Sequence, residues 1–470
     1  MNPAPKLAVI GLDSATPQLM FDRFAADMPV LTALRERSAW GPMRSVDPPI
    51  TMPAWSCMMS GRTPGQLGVY GFRDRSKYDY GPMAFATSHK IRAPRIWDDL
   101  TAAGRSSVVV GVPGTYPPSP IKGSMVSCFL APSIDSDYTS PSELAQELQN
   151  LTGGYELDVD DFRSPELERV SQRIFDLSEQ RFDVARHMAT TRTWDFFSFV
   201  DMGPDRLHHA FWKYCDSNHP RHEPGNPWEN LFRDYYRGLD ARIGEFIECL
   251  PENTGVMVVS DHGAQPMVGG FYINEWLRKE GLLVLGEEPS GPISMSKAKI
   301  DWSRTTAWAE GGYYGRVFFN VEGREPDGTV PAAEYDDTVN RVARALEAVP
   351  DVDGKPMGTR AMRPGELYGD EVRGVAPDLL VYVGNLTWRA LATVGAEEGL
   401  YTTENDTGPD HANHGDTGIF LLDAPGVTPG PLPNLSLYDV APTIRTLLDL
   451  PARETGQGET RIREVGTVRL

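Results

Sequence analysis

Short, mostly apolar runs recur along the chain, and each is followed at once by glycine, proline or a polar residue. The runs lie at 7–10, 108–112, 196–200, 256–259 and 419–422. Such runs are typical of strands that a parallel sheet buries on both faces. Between them, amphipathic patterns predict long helices at 166–191 and 229–249 and shorter ones at 96–103 and 444–450. This alternation predicts an α/β fold with a mostly parallel central sheet flanked by helices.

Two further helix starts are predicted from local signals. At 140–143 the residues SPSE form a capping box with proline at the first helical position, which predicts a helix start. In the stretch 47–72, DPPITMPAWSCMMSGRTPGQLGVYGF, prolines on both sides of 50–52 predict a rigid turn, a helix after Pro53 and a helix end at Gly61. Thr51 then faces free N–H groups and is placed like a nucleophile for an oxyanion; a merely buried turn is the alternative.

The segment 266–400 has a different pattern, with many Gly, Pro and Glu residues and short strand-like pieces at 316–319 and 379–383. We interpret it as partly an insertion, or smaller lobe, that closes over the site. The whole chain, 1–470, is then one catalytic domain that contains this lobe.

Polar residues at four predicted strand ends could hold metal ions. They are Asp13 after the first strand, Asp205 and His209 after the third, Asp261 and His262 after the fourth, and His414 before the last. In a mostly parallel sheet such ends converge on one edge. With Thr51, this set could hold two divalent cations in an open catalytic site. Zinc suits the oxygen and nitrogen ligands best, with manganese or iron as alternatives.

Each of these features also has a structural interpretation. Asp13 could cap a following helix, because Asp and Ser are both good N-caps. Asp205 and His209, four residues apart, could be a solvated pair on one helix face. The tetrapeptide 260–263, SDHG, could be only a turn.

Composition excludes several classes of function. The chain has 470 residues, 40% hydrophobic and 23% charged, which is ordinary for a soluble globular protein. Its net charge of −20 opposes binding to a nucleic-acid polymer but permits a small phosphoester substrate beside bound cations. No run approaches the ~18–20 apolar residues of a membrane span, and the four scattered cysteines suit the cytoplasm. The oligomeric state is not predictable from these features.

Taken in order, these residues resemble the alkaline phosphatase superfamily, and within it the type I phosphodiesterase/nucleotide pyrophosphatase group and its bacterial phosphohydrolases. The matching pieces span nearly the whole chain: GLDSATP, PPITMPAWSCMMSGRTPGQLGVYGF, PDRLHHAFW, VVSDHG, NVEGREPDG, APDLLV, NHGDTGIF and YDVAPTI. The resemblance implies an alkaline phosphatase-like fold and a metal-dependent phosphoric ester hydrolase.

The resemblance also implies roles for the site residues. Thr51 would be the nucleophile that is transiently phosphorylated, and a metal would hold it as an alkoxide. The ligands of that metal would be Asp13, Asp261 and His262. A second metal, which binds the attacking water, would have Asp205, His209 and His414 as ligands. His208 is an alternative to His209 as a ligand, and His411 is a less favoured alternative to His414. Asp201 could contact a ligand side chain without binding the metal itself.

The chain departs from the family pattern at several positions. Ala54 stands where phosphodiesterases of this group often carry asparagine, and Leu67 stands where relatives commonly have histidine. The family's Gly-Ser-His motif reads Ala-Asn-His at 412–414. No basic residue accompanies the nucleophile, which favours a phosphodiester over a monoester, although Arg62 or Arg73 could supply a positive contact. A phosphomonoesterase, a phosphomutase or phosphotransferase, a sulfatase and a non-catalytic binding protein are the alternatives.

Overall fold

The computed structural model describes residues 5–396, 399–453 and 456–461. Twenty-one strands run through these residues. In chain order they are β1 Leu7–Leu12, β2 Ala39–Arg44, β3 Arg73–Asp74, β4 Ala84–Phe85, β5 Ser107–Val110, β6 Gly123–Val126, β7 Thr139–Ser140, β8 Phe196–Asp201, β9 Gly255–Val259, β10 Gly263–Pro266, β11 Gly269–Tyr272, β12 Ala307–Glu310, β13 Gly315–Phe319, β14 Arg360–Met362, β15 Leu379–Tyr382, β16 Trp388–Leu391, β17 Tyr401–Thr402, β18 Ala412–Gly415, β19 Thr417–Asp423, β20 Gly430–Pro431 and β21 Leu435–Ser436.

Twelve α-helices accompany the strands in the same described residues. In chain order they are α1 Pro29–Glu36, α2 Thr51–Ser60, α3 Pro64–Leu67, α4 Ile96–Ala102, α5 Leu144–Thr152, α6 Leu167–Thr191, α7 Gly203–Cys215, α8 Leu231–Glu248, α9 Ile273–Lys279, α10 Tyr335–Glu347, α11 Pro364–Tyr368 and α12 Val440–Leu447.

A ten-stranded sheet forms the centre of the molecule. Its order is β20-β2-β19-β9-β1-β8-β5-β6-β7, with β21 also paired to β2. Strands β9, β1, β8, β5 and β6 are parallel to one another, whereas β19 is antiparallel to both its neighbours and β7 is antiparallel to β6. Because helices pack around this mostly parallel sheet, the fold class predicted from the sequence is confirmed.

The register of the central strands places their ends together. Leu12 of β1 pairs with Asp201 of β8, and Gly11 pairs with Val259 of β9. The apolar side chains of these strands are fully buried, as expected for strands covered on both faces. The chain therefore leaves β1, β8 and β9 at one edge of the sheet, and the antiparallel strand β19 begins at that edge.

Two predicted helix starts are wrong. Helix α2 begins at Thr51 and not after Pro53, because proline lacks only an N–H that the first helical turn does not use. Helix α5 begins at Leu144 and not at Ser140, because Ser140 belongs to strand β7. The end predicted for α2 is correct: Gly61 is left-handed, with φ of +67°.

A second apolar cluster lies within residues 271–394 and includes Trp276, Phe318 and Leu379. It packs around two small sheets, with strand orders β12-β13-β15-β14 and β16-β11-β17. These elements fall almost wholly within 266–400, the segment predicted as a smaller lobe. That this lobe closes over the site stays a prediction. Within the described ranges no helix is long and apolar enough to cross a membrane.

Candidate active site

Thr51 lies at the base of a cleft, as the first residue of helix α2. Its side chain is buried, and its Oγ1 lies 3.2 Å from Nε2 of His262. The N–H groups of a first helical turn have no partners within the helix, and the helix dipole is positive there. The hydroxyl therefore sits where an anion such as a phosphoryl group is favoured.

Two groups of buried side chains that could ligate metal ions lie near Thr51. The first group is Asp13, Asp261 and His262, and the second group is Asp205, His209 and His414. In each group the candidate ligand atoms all lie within 4.8 Å of one another. The structure thus brings together every residue that the sequence proposes as a ligand. Asp13 reaches its group from the loop after β1 and caps no helix.

Each group contains carboxylate oxygens that accept no hydrogen bond from the described residues. They are Oδ1 of Asp13, Oδ2 of Asp261 and Oδ1 of Asp205. Asp261 Oδ2 lies 3.2 Å from His262 Nε2, and Asp205 Oδ1 lies 3.3 Å from His209 Nε2. Leaving a buried carboxylate oxygen without a hydrogen bond is costly, and a bound cation removes that cost. The donor set therefore fits two divalent cations.

The histidines of both groups are oriented by the ring nitrogen that faces away from the group. Each Nδ1 lies at hydrogen-bond distance from an oxygen: His262 from Gly263 O at 2.9 Å, His209 from Asp410 Oδ1 at 2.8 Å, and His414 from Pro49 O at 2.8 Å. A proton held at Nδ1 leaves Nε2 with a lone pair for a metal. The Nε2 atoms of His209 and His414 are 3.3 Å apart, a spacing that a shared cation would stabilise.

Donors also hold the other oxygen of each carboxylate. Trp55 Nε1 donates to Asp13 Oδ2 at 2.7 Å, and the Ser14 N–H donates to Asp261 Oδ1 at 3.3 Å. Arg206 donates to Asp205 Oδ2. Because one oxygen of each carboxylate is fixed in this way, the other is aimed into its group.

The electrostatics of the two groups differ. Burial, together with neighbouring carboxylates, raises the pKa of Asp13 and of Asp261 well above the usual range. Burial lowers the pKa of His262 to about 4. For His209, burial lowers the pKa, but Asp410 and Asp205 outweigh it and raise the value to about 9. The first group carries uncompensated negative charge when ionised, and a cation would stabilise that form.

The competing candidates from the sequence lie outside both groups. The His208 ring contacts Tyr236 OH at 2.7 Å and Ser14 Oγ at 3.3 Å. His411 packs against Tyr214, and Asp201 accepts hydrogen bonds at the start of α7, from the Gly203 N–H among others. The geometry therefore favours His209 over His208 and His414 over His411.

Three residues near the second group were missed by the sequence reasoning. Asp410 Oδ2 accepts from Arg163 Nε at 2.8 Å and from Tyr313 OH at 3.2 Å. The Tyr313 ring stacks on His209 and His414, with centroids 4.7 and 4.4 Å apart. Asp410 could have been noticed in the segment DHANHGD, but Arg163 and Tyr313 carry no local signal.

The cleft above Thr51 has a volume of about 1000 Å³. Strands β3 and β4 contribute to its lining, as do β12 and β13 of the smaller lobe. Many of its lining residues are aromatic. Arg73 lines the cleft, whereas Arg62 and the departures Ala54 and Leu67 do not.

Comparison with known proteins identifies related sequences and folds. A family model described as type I phosphodiesterase/nucleotide pyrophosphatase matches residues 7–416. Comparison with curated proteins gives no match. Among solved structures, human ectonucleotide pyrophosphatase/phosphodiesterase 5 aligns with a TM-score of 0.56 at 12% identity, covering 96% of this chain and 97% of that one.

Two further structures show the same fold with small ligands. Phosphonoacetate hydrolase from Sinorhizobium meliloti 1021, in complex with phosphonoacetate, aligns with a TM-score of 0.58 at 16% identity and covers 96% of both chains. An inactive variant of the murine ectonucleotide pyrophosphatase/phosphodiesterase 5, in complex with AMP, aligns with a TM-score of 0.55 at 12% identity, over 96% of this chain and 97% of that one. At these identities the likeness establishes the fold.

Proposed function

Because this chain belongs to the type I phosphodiesterase/nucleotide pyrophosphatase family, whose members are phosphoric ester hydrolases, we propose that it cleaves phosphodiesters through a phosphothreonine at Thr51. Two divalent cations would assist. The observation that carries the proposal is the position of Thr51 Oγ1, which lies 3.2 Å from Nε2 of His262 in the first group, in a cleft that Asp205 and His414 of the second group also line.

The residues that would hold the cations are those of the two groups. Asp13, Asp261 and His262, with Thr51, would hold one, and Asp205, His209 and His414 would hold the other. Zinc suits this mixture best, with manganese and iron as alternatives. When bound, such cations lower the pKa of hydroxyl groups and stabilise the charge on the attacking and leaving oxygens of an in-line displacement.

The proposed reaction has two displacements at phosphorus. Thr51 Oγ1 bonds to phosphorus as the bond to the leaving alkoxide breaks, and the threonine proton and the alkoxide together make up the released alcohol. Water then bonds to the same phosphorus as Thr51 Oγ1 leaves, and a water proton returns to Thr51. The positive end of helix α2 favours the negative charge of the phosphoryl group in both steps.

A diester is favoured over a monoester by the state of the nearby arginines. Arg163 is paired with Asp410, and Arg206 is paired with Asp158 and Asp205. These two guanidinium groups already have carboxylate partners, so they offer less charge to a monoester dianion than free arginines would. Among the described residues, Arg73 is the one arginine of the cleft without such a partner. A phosphomonoesterase, or a mutase or transferase in which an alcohol replaces water, is the second candidate. A small phosphoester substrate and a cytoplasmic location are part of the proposal.

Metal analysis combined with turnover tests the proposal. We expect close to two divalent cations per chain, and hydrolysis of bis(4-nitrophenyl) phosphate that stops on chelation and resumes when the metal returns. Asp261→Ala and His262→Ala should each lower metal content and rate. A chelator-insensitive activity in a chain without bound metal would contradict the two-cation mechanism.

The stereochemical course separates a covalent route from direct attack by water. Two in-line displacements each invert phosphorus, so the phosphothreonine route gives net retention. With a chiral phosphorothioate diester hydrolysed in isotopically labelled water, we expect retention. Measured inversion would exclude the phosphothreonine and leave Thr51 at most a binding group.

A further inference from the structure

One face of the smaller lobe forms part of the cleft lining. Strands β12 and β13 are antiparallel. In their register the backbone of Glu310 lies opposite that of Arg316, and Trp308 lies opposite Phe318. Because side chains alternate along a strand, these four residues share one face of the pair. All four line the cleft above Thr51.

Glu310 differs from the other carboxylates that line the cleft. Asp79 is paired with Lys77 and accepts a hydrogen bond from the Gly81 N–H, and Asp205 belongs to the second cation group. The Glu310 carboxylate has neither a hydrogen bond nor an ion pair within the described part of the chain. It is only half-buried, so it remains reachable from the cleft.

The cleft also contains one arginine without a carboxylate partner among the described residues. Six arginines line it, and five of them lie within 4.0 Å of a carboxylate oxygen. The sixth, Arg73, is exposed and lies over the Phe85 ring at 4.2 Å. Burial raises the pKa of Glu310, whereas the positive charges of Arg316 and Arg73 lower it. Both guanidinium groups are therefore close enough to affect the Glu310 carboxylate. These positive neighbours disfavour an ammonium group beside Glu310 and favour a neutral donor.

Glu310 lies within reach of a group attached to the reacting phosphorus. Three residues later the same chain reaches Tyr313, whose ring stacks on His209 and His414. Three residues of extended chain span at most about 11 Å. Because Thr51 and Glu310 line the same cleft, a substituent on a phosphoryl group at Thr51 extends into the space that Glu310 borders.

We infer that Glu310 is a specificity residue that accepts a hydrogen bond from a hydroxyl group on the organic part of the substrate. The substrate class is a phosphodiester with a polyol or sugar substituent. The inference rests on the proposed function and deepens it. A hydroxyl that donates to this half-buried carboxylate supplies the partner that the protein itself does not provide.

A matched pair of substrates tests this assignment. They are 4-nitrophenyl 2,3-dihydroxypropyl phosphate and 4-nitrophenyl propyl phosphate, which differ only in the two hydroxyl groups. Because the 2-hydroxyl can itself displace 4-nitrophenolate by closing a cyclic phosphate, the rate of the metal-loaded Thr51→Ala protein is subtracted for each ester before the comparison. In the metal-loaded wild-type protein we expect kcat/KM to be at least about tenfold higher for the dihydroxypropyl ester, since a hydrogen bond to a charged group has that effect. Glu310→Ala should bring the ratio to about one, mainly through KM, and Glu310→Gln should give an intermediate ratio.

Glu322→Ala is the matched control, because Glu322 is exposed in the same lobe and does not line the cleft. It should keep the wild-type ratio. A wild-type ratio near one with both esters hydrolysed, or a ratio that survives in Glu310→Ala, would overturn the assignment of Glu310 alone. Hydrolysis of neither ester would overturn the proposed function, and the inference with it.

Discussion

At the scale of single residues, Thr51 is distinguished by its hydroxyl, which lies 3.2 Å from His262 in a cleft that Asp205 and His414 also line. We predict that Thr51→Ala lowers kcat for an aryl phosphodiester at least about a thousandfold, because the nucleophile is lost. The loss of stability should be only about 1 kcal/mol, since Thr51 caps no helix with its side chain. Steady-state kinetics and urea denaturation measure the two effects.

Thr51→Ser is the matched control, because it keeps the hydroxyl. It should retain appreciable activity. If Thr51→Ala works at the normal rate, the residue has no part in the chemistry, whatever the serine variant does.

Asp410 acts on the second cation group through its hydrogen bond to His209 Nδ1 at 2.8 Å. We predict that Asp410→Asn weakens binding of one cation about 10- to 100-fold, because the imidazole loses the carboxylate that orients it and makes it more basic. Competition with a chromogenic chelator measures the affinity directly. Asp416→Asn, an exposed residue of the same segment, should bind both cations normally. If both variants bind the cations with equal affinity, Asp410 does not contribute to cation binding through His209.

At this scale the sequence predicts the candidate metal ligands better than it predicts the residues that hold those ligands in place. Asp261 and His262 follow a run of four apolar residues with only Ser260 between, so their place is set by local chain order. Arg163 and Tyr313 reach Asp410 from a loop before α6 and from the smaller lobe. Their positions depend on how distant segments of the chain pack together, which cannot be predicted from the spacing of residues along the sequence.

At the scale of elements, strand β1 and helix α2 pack closely against each other at Gly11. A Cβ at Gly11 would lie 2.4 Å from the Trp55 ring and 2.8 Å from Val200. The Trp55 indole in turn holds Asp13. Only glycine allows β1 and α2 to approach this closely.

We therefore predict that Gly11→Ala costs about 1–3 kcal/mol of stability and also weakens cation binding, because the displaced Trp55 releases Asp13. Chemical denaturation and chelator competition measure the two effects. Gly291→Ala, where a new Cβ meets nothing within 4 Å, is the control and should match the wild type. Loss of stability with normal cation affinity would show that Trp55 does not position Asp13.

Element types were predictable where the apolar pattern is long and regular. Helices α6 and α8 and the buried central strands lie within a few residues of their predicted positions. Helix starts near proline were not predictable, because proline is compatible with both a turn and the first helical turn. At Thr51 the helix continues through Pro53, and at Ser140 strand pairing prevails over a capping signal.

At the scale of the whole molecule, buried charge links stability to pH and to cations. In the metal-free protein the pKa of His209 is raised to about 9 and those of Asp13 and Asp261 are also raised, so the folded chain keeps protons at these three groups to higher pH than the unfolded chain does. A raised folded-state pKa gives stability that is present at low pH and is lost as pH rises through that value. For His209 the window runs from about pH 6.5 to about pH 9.

We predict that the Tm of the metal-free protein falls between pH 7 and pH 9, and that adding zinc or manganese raises the Tm more at pH 9 than at pH 7. The reason is that a cation takes the place of the protons that the two groups otherwise hold. Differential scanning fluorimetry with and without chelator measures the increments. If the rise in Tm on adding the cation is the same at both pH values, cation binding releases no protons.

The second cation group draws on distant parts of the chain, since His209 and His414 are 205 positions apart. A cation held by both would act as a removable cross-link that closes a loop of about half the protein. By the chain-entropy estimate, closing a loop of this size restricts the unfolded chain by about 5 kcal/mol. The two histidines come together only when helix α7 and strand β18 are both in place, so this group completes late in biosynthesis. A ribosome-bound chain that ends before residue 414 would therefore lack the cross-link and remain open to proteases that the finished protein resists.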